Sequence, residues 1–223
     1  MSSSSSYLRT RVKFCGLTRA GDIRLAGELG ADAIGLVFAN GSPRQLGIDE
    51  AASLRGAVGP FLSVVALFMD NDPDEVERVI QRVKPHVLQF HGRESDAECR
   101  RWGLPFFKSV AMGEGSANGR SHALEVLNRY PSATGFLFDG HGEGEPGGSG
   151  KRFDWSRLPA DLGRPWMLAG GLAPDTVREA VVRTRCWGVD VSSGIESAPG
   201  VKDGERMKRF LEEVRSADCT IDE

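Results

Sequence analysis

Between Arg11 and Arg215 the sequence alternates short apolar runs with helical segments, with no linker and no break in composition. A parallel strand buried on both faces reads as a continuous apolar run, and Ala33-Ile34-Gly35-Leu36-Val37-Phe38 is such a run. Strands are expected at Arg11–Cys15, Ala33–Phe38, Phe61–Phe68, His86–Phe90, Pro105–Val110, Gly135–Phe138, Trp166–Ala169 and Gly188–Val191. Helices are expected from a Thr18 N-cap to Gly30, at Asp49–Arg55, and after Pro73, where Val76, Val79, Ile80 and Val83 recur at helical spacing. Further helices are expected at Ser95–Trp102, Ser121–Arg129, Asp175–Arg185 and Lys202–Arg215. This alternation favours a single-domain α/β fold, a closed (β/α)8 TIM barrel over residues 11–215. It leaves residues 1–10 as a disordered leader and 216–223 as a flexible tail. An open doubly wound sheet is the second reading.

The most informative stretch runs from Trp166 to Lys202. A strand ends in Gly170-Gly171, Pro174 opens a helix, and a second strand ends in Ser192-Ser193-Gly194. Such a βαβ unit brings both turns to one edge of a parallel sheet. Glycine lets the backbone approach an anion closely, and exposed N–H groups with serine hydroxyls can hold it. In a closed barrel the loops after strands seven and eight commonly bind phosphate. Either turn alone is equally well a tight turn and nothing more. As a pair at one βα spacing, Gly170, Gly171, Ser192, Ser193 and Gly194 favour phosphate.

Composition narrows the partners. The net charge of −3 comes with no basic stripe, which disfavours nucleic acid and anionic membrane. The longest apolar run, Phe61–Met69, is too short to span a bilayer. Met1–Ser6 is a serine run without an apolar core and does not read as a signal peptide. Cys15, Cys99, Cys186 and Cys219 lack paired spacing, and His86, His91, His122 and His141 offer no ligand pattern, so neither disulfides nor a metal is expected. The protein reads as cytoplasmic, with a small-molecule substrate; monomer and homodimer both stay open.

Active residues of a barrel come from the C-terminal ends of its strands. That rule selects Cys15, Phe38–Arg44, Asp70, Gln89–His91, Ser109, Asp139 and the glycine–serine turns. Cys15 is by residue type a buried structural cysteine, and Asp139 is equally a turn cap. Facing each other across a barrel mouth, however, they would make a base–acid pair for moving protons at carbon. Such a pair needs the cysteine pKa lowered and the aspartate pKa raised. Arg44, after Ser42-Pro43, is either a solvated surface residue or a fork for a carboxylate. His91 either lines the pocket or satisfies a backbone carbonyl. In the loop 141–151, Gly142, Gly144 and Gly147 match a dinucleotide fingerprint, but Pro146 and Gly148 argue against the helix it requires. The segment reads as a lid with glycine hinges or as a plain surface loop.

From Val12 to Arg215 the sequence resembles the phosphoribosylanthranilate isomerase family of tryptophan biosynthesis. The resemblance rests on Lys13-Phe14-Cys15-Gly16-Leu17-Thr18, Ser42-Pro43-Arg44, Gln89-Phe90-His91-Gly92, Gly147–Trp155, Leu168–Leu172 and Gly188–Ser197, in that order. It implies a cofactor-free Amadori rearrangement of N-(5-phosphoribosyl)anthranilate on a (β/α)8 barrel. Asp139 would protonate the furanose oxygen and Cys15 would remove the C2′ proton. Arg44 would hold the anthranilate carboxylate with His91 nearby. Gly170, Gly171, Ser192, Ser193 and Gly194 would bind phosphate, and Asp190 would order that turn. Gly140 departs from the Ser or Thr usual after the acid. A related sugar-phosphate isomerase and a non-catalytic phosphate-binding barrel are the competing readings; relatives of the first kind carry aspartate where Cys15 stands.

Overall fold

The computed structural model describes residues 9–113, 119–140, 153–159 and 162–221. Eight parallel strands close on themselves in chain order, β1 (Arg11–Cys15), β2 (Ala33–Val37), β3 (Ser63–Phe68), β4 (Val87–Phe90), β5 (Phe106–Ala111), β6 (Gly135–Asp139), β7 (Trp166–Leu168) and β8 (Gly188–Val191), with β1 pairing to β8. This is the (β/α)8 barrel. The helices are α1 (Ala20–Leu29), α2 (Ile48–Leu54), α3 (Pro73–Val83), α4 (Asp96–Arg100), α5 (Gly119–Arg129), α6 (Pro174–Thr184) and α7 (Gly204–Ile221). Between β6 and β7 the described residues hold only a 3-10 turn, Trp155–Arg157. After β8 comes a small antiparallel hairpin, β9 (Glu196–Ala198) and β10 (Val201–Lys202).

Local chemistry explains several boundaries. Pro73 opens α3 while the Asp72 carboxylate accepts from the Asp74 N–H, and Ser95 with Glu98 forms a reciprocal cap on α4. Thr18 is not the cap of α1: the helix starts at Ala20, and the Thr18 hydroxyl donates instead to the Gly200 carbonyl at 2.6 Å. Phe61, expected to open the third strand, lies before it and is 98% exposed.

The expected tail from 216 is also corrected, because α7 continues to Ile221. Ala217 is buried, and the Asp218 carboxylate accepts from the Thr10 N–H and hydroxyl, tying the helix to the start of β1. Thr10 is thereby anchored rather than part of a leader; residues 1–8 lie outside the described residues.

The strands bury two faces. Outward residues meet the helices: Phe14 packs edge-on against Phe210 of α7, and Phe38, Phe68, Phe90 and Phe106 run round the barrel with centroids 5.6, 5.8 and 5.9 Å apart. Inward, Phe107 stacks on Trp187 and joins Leu137 and Met167. Cys15, Val37, Ala39 and Leu67 form a separate apolar cluster. Buried polar residues on the same strands include Lys13, Gln89, Ser109, Asp139 and Asp190. No helix among the described residues is long and apolar enough to cross a membrane.

Candidate active site

One cavity, with about 680 Å³ of space counting its open mouth, collects most of the residues singled out by sequence. Cys15, Arg44, His91, Asp139, Gly170, Gly171, Asp190, Ser192 and Ser193 all line it, with Val37, Leu67 and Met69 among the apolar lining. Cys15 ends β1 and Asp139 ends β6, three strands away round the barrel, and both are buried.

The glycine–serine side is shaped by main chain. Gly170 and Gly171 have φ of 83° and 65°, in the left-handed region that favours glycine. Gly194 is not on the cavity wall. A Cβ there would lie 1.9 Å from the Leu172 carbonyl oxygen, so its part is to let the two turns touch. Beneath Ser192 sits a buried ionic cluster. Arg44 donates through Nε and Nη2 to the two Glu196 oxygens at 2.8 and 2.7 Å. Lys202 donates to Glu196 Oε1 at 2.7 Å and to the Ser192 carbonyl at 3.1 Å. Burial opposes the charge on Glu196, but its hydrogen bonds to Arg44 and Lys202 outweigh this and hold its pKa below the ordinary range. Burial lowers the pKa of Lys202 despite Glu196.

The Asp190 carboxylate faces Lys13, its register partner on β1, with Oδ1 at 2.7 Å from Nζ. Burial works against the Lys13 charge, but Asp190 and the Cys15 sulfur outweigh it and hold the ammonium above its ordinary pKa. Cys15 departs from expectation. Burial pushes its thiol up, and the nearby Lys13 charge offsets that only in part. His91 Nε2 lies 2.5 Å from the Gln89 side-chain nitrogen.

Sequence reasoning passed over Lys13, Glu196 and Lys202. Signals existed: Lys13 is two residues from Cys15 on one strand and so shares its face, and Pro199-Gly200 between Glu196 and Lys202 is a turn signal. The loop 141–151 lies outside the described residues, apart from which no group of three or more His, Cys, Asp or Glu among the described residues could hold a metal.

With this geometry in view, the comparisons agree with one another. The family described as N-(5'phosphoribosyl)anthranilate (PRA) isomerase matches residues 12–213. An N-(5'-phosphoribosyl)anthranilate isomerase of Xanthomonas campestris pv. campestris is 57% identical over 215 residues, covering 96% of this chain and 97% of the relative. The crystal structure of phosphoribosyl anthranilate isomerase from Thermus thermophilus superposes with a TM-score of 0.80 at 36% identity, over 93% of this chain and 99% of that one. A further structure of such an isomerase, in complex with reduced 1-(o-carboxyphenylamino)-1-deoxyribulose 5-phosphate, gives a TM-score of 0.77 at 30% identity, over 93% of this chain and 99% of the other.

Proposed function

The chain belongs to the N-(5'-phosphoribosyl)anthranilate isomerase family, enzymes of tryptophan biosynthesis, and from that premise we propose how its cavity carries out the reaction. The substrate phosphate sits against Gly170-Gly171 and Ser192-Ser193, which line the cavity and offer main-chain N–H groups and hydroxyls to an anion. Asp139, as a carboxylic acid, gives its proton to the furanose ring oxygen. The C1′–O bond breaks as the anthranilate nitrogen forms a C1′=N bond. The Cys15 thiolate then takes the C2′ proton, and those electrons make the C1′=C2′ bond of an enolamine. Tautomerisation moves the 2′-hydroxyl proton to C1′, giving 1-(2-carboxyphenylamino)-1-deoxyribulose 5-phosphate. The pair ends with Asp139 ionised and Cys15 protonated, and exchange with solvent resets it.

Arg44 fits this scheme in a particular way. Glu196 occupies the Nε–Nη2 edge of the guanidinium. The Nη1–Nη2 end is then the part that would meet the anthranilate carboxylate, so one residue serves two acids. His91 lies on the same cavity wall and would help to orient the aromatic ring.

One observation carries the reading: a thiol and a carboxyl, on strands three apart, line the same cavity as the two small-residue turns. The test is the decay of anthranilate-type fluorescence when substrate generated in situ meets the protein. Wild type should consume it quickly, and Cys15→Ala and Asp139→Asn should each lose about 10²- to 10⁴-fold in rate. Wild-type turnover in either variant would remove that residue from its role.

A further inference from the structure

Lys13 stands inside the barrel, 2% exposed, where an ammonium is costly to desolvate. Its pairing with Asp190 does not by itself explain it, since a buried ion pair can often be replaced by apolar residues without loss of stability. Its neighbours offer a better reason. Lys13 and Cys15 lie two residues apart on β1 and share the inner face. Opposite Cys15 on β2 stands Gly35, its register partner. A Cβ added at Gly35 would come within 2.7 Å of the Cys15 sulfur and 3.2 Å of Lys13 Nζ. Thiol and ammonium therefore converge on the space that a missing side chain leaves.

The surrounding charges are otherwise engaged. Around Cys15 stand Lys13 on its own strand, Asp190 on β8, Asp139 on β6, Arg44 after β2, and Lys202 on β10. Arg44 and Lys202 both bind Glu196, and Lys202 also holds Ser192. Lys13 meets Asp190 through one oxygen, and an ammonium has three N–H donors, so donors remain for the sulfur. We infer that Lys13 is a positioning residue for the base, its ammonium held by Asp190 and shared with the Cys15 sulfur above Gly35, so that the thiolate has a fixed cation beside it in an enclosed cavity. This rests on Cys15 being the base proposed above. Lys13 works against the effect of burial on the thiol, offsetting it in part.

The test reads the thiol directly, without turnover. Iodoacetamide alkylates only the thiolate, and the pH dependence of Cys15 labelling, followed by mass spectrometry on the peptide that carries it, gives the ionisation midpoint. Lys13→Met should move that midpoint up by about one pH unit or more, slowing labelling at neutral pH about tenfold. Lys13→Arg should bring it most of the way back. If Lys13→Met does not fold because Asp190 is left unpaired, Lys13→Met combined with Asp190→Asn should still move the midpoint up, but by less, because the Asp190 charge that itself raises the thiol is lost with it. A folded variant lacking the ammonium but labelled with the wild-type pH profile overturns the inference, since a merely structural role would leave the profile unmoved. Failure of the base assignment looks different: Cys15→Ala would then keep its turnover, whatever the labelling profile of the lysine variants.

Discussion

On the β7–β8 side of the mouth the ligand-facing surface is largely main chain, two glycines with positive φ and a pair of serines. Flanking it, at the neighbouring strands β1 and β6, it is two single side chains, Cys15 and Asp139. Each side is backed by buried charge, but the charge does different work. Under the glycine–serine side, Glu196 gathers Arg44 and Lys202, and Lys202 holds Ser192. Behind the thiol, Lys13 and Asp190 bear on the protonation of the Cys15 sulfur. A site that recognises can be built from backbone shape, whereas a site that moves protons needs its charges tuned.

The largest way to break this contrast is Glu196→Gln. It leaves two buried cations without their shared anion, a change that costs about 3–5 kcal/mol when one partner of a buried pair is removed. Urea denaturation should show that loss, with KM rising more than kcat falls because Ser192 loses its support. Gly35→Ala acts on the other side. The new Cβ, 2.7 Å from the Cys15 sulfur, must push the thiol aside. The expected result is a fall in kcat of about 10²-fold with KM nearly unchanged, the usual scale for a misplacement of an ångström. The smallest effect sharpens the comparison by pH. Glu196 has its pKa held below the ordinary range, so its contribution is complete above the unfolded value of about 4.3 and is lost as pH falls through the folded value. The stability gap between wild type and Glu196→Gln should therefore hold from pH 8 to 5 and narrow below about pH 4.

The same contrast explains what was legible in the sequence. Glycine–serine turns and strand-end residues announce themselves, because small residues punctuate a chain and strand ends follow from the apolar runs. Gly170, Gly171, Ser192, Cys15 and Asp139 were found in this way. Lys13, Glu196 and Lys202 were not, since a charged residue in a strand or loop reads as solvated until its partner is known, and the partners are distant. Lys13 and Asp190 are 177 positions apart, Arg44 and Glu196 152. The extension of α7 was hidden similarly: Asp218 is polar and near the terminus, and only its contact with Thr10 reveals an ordered helix.

The most direct measurement of the central claim, that recognition and chemistry rest on separable groups in one mouth, uses the Cys15→Ala/Asp139→Asn double variant. Its affinity for reduced 1-(o-carboxyphenylamino)-1-deoxyribulose 5-phosphate, by calorimetry, would be set beside its turnover. The account predicts a Kd within about fivefold of wild type while turnover falls to background, as expected when groups that act in the transition state are removed. Loss of binding together with turnover, or turnover that persists, would contradict it.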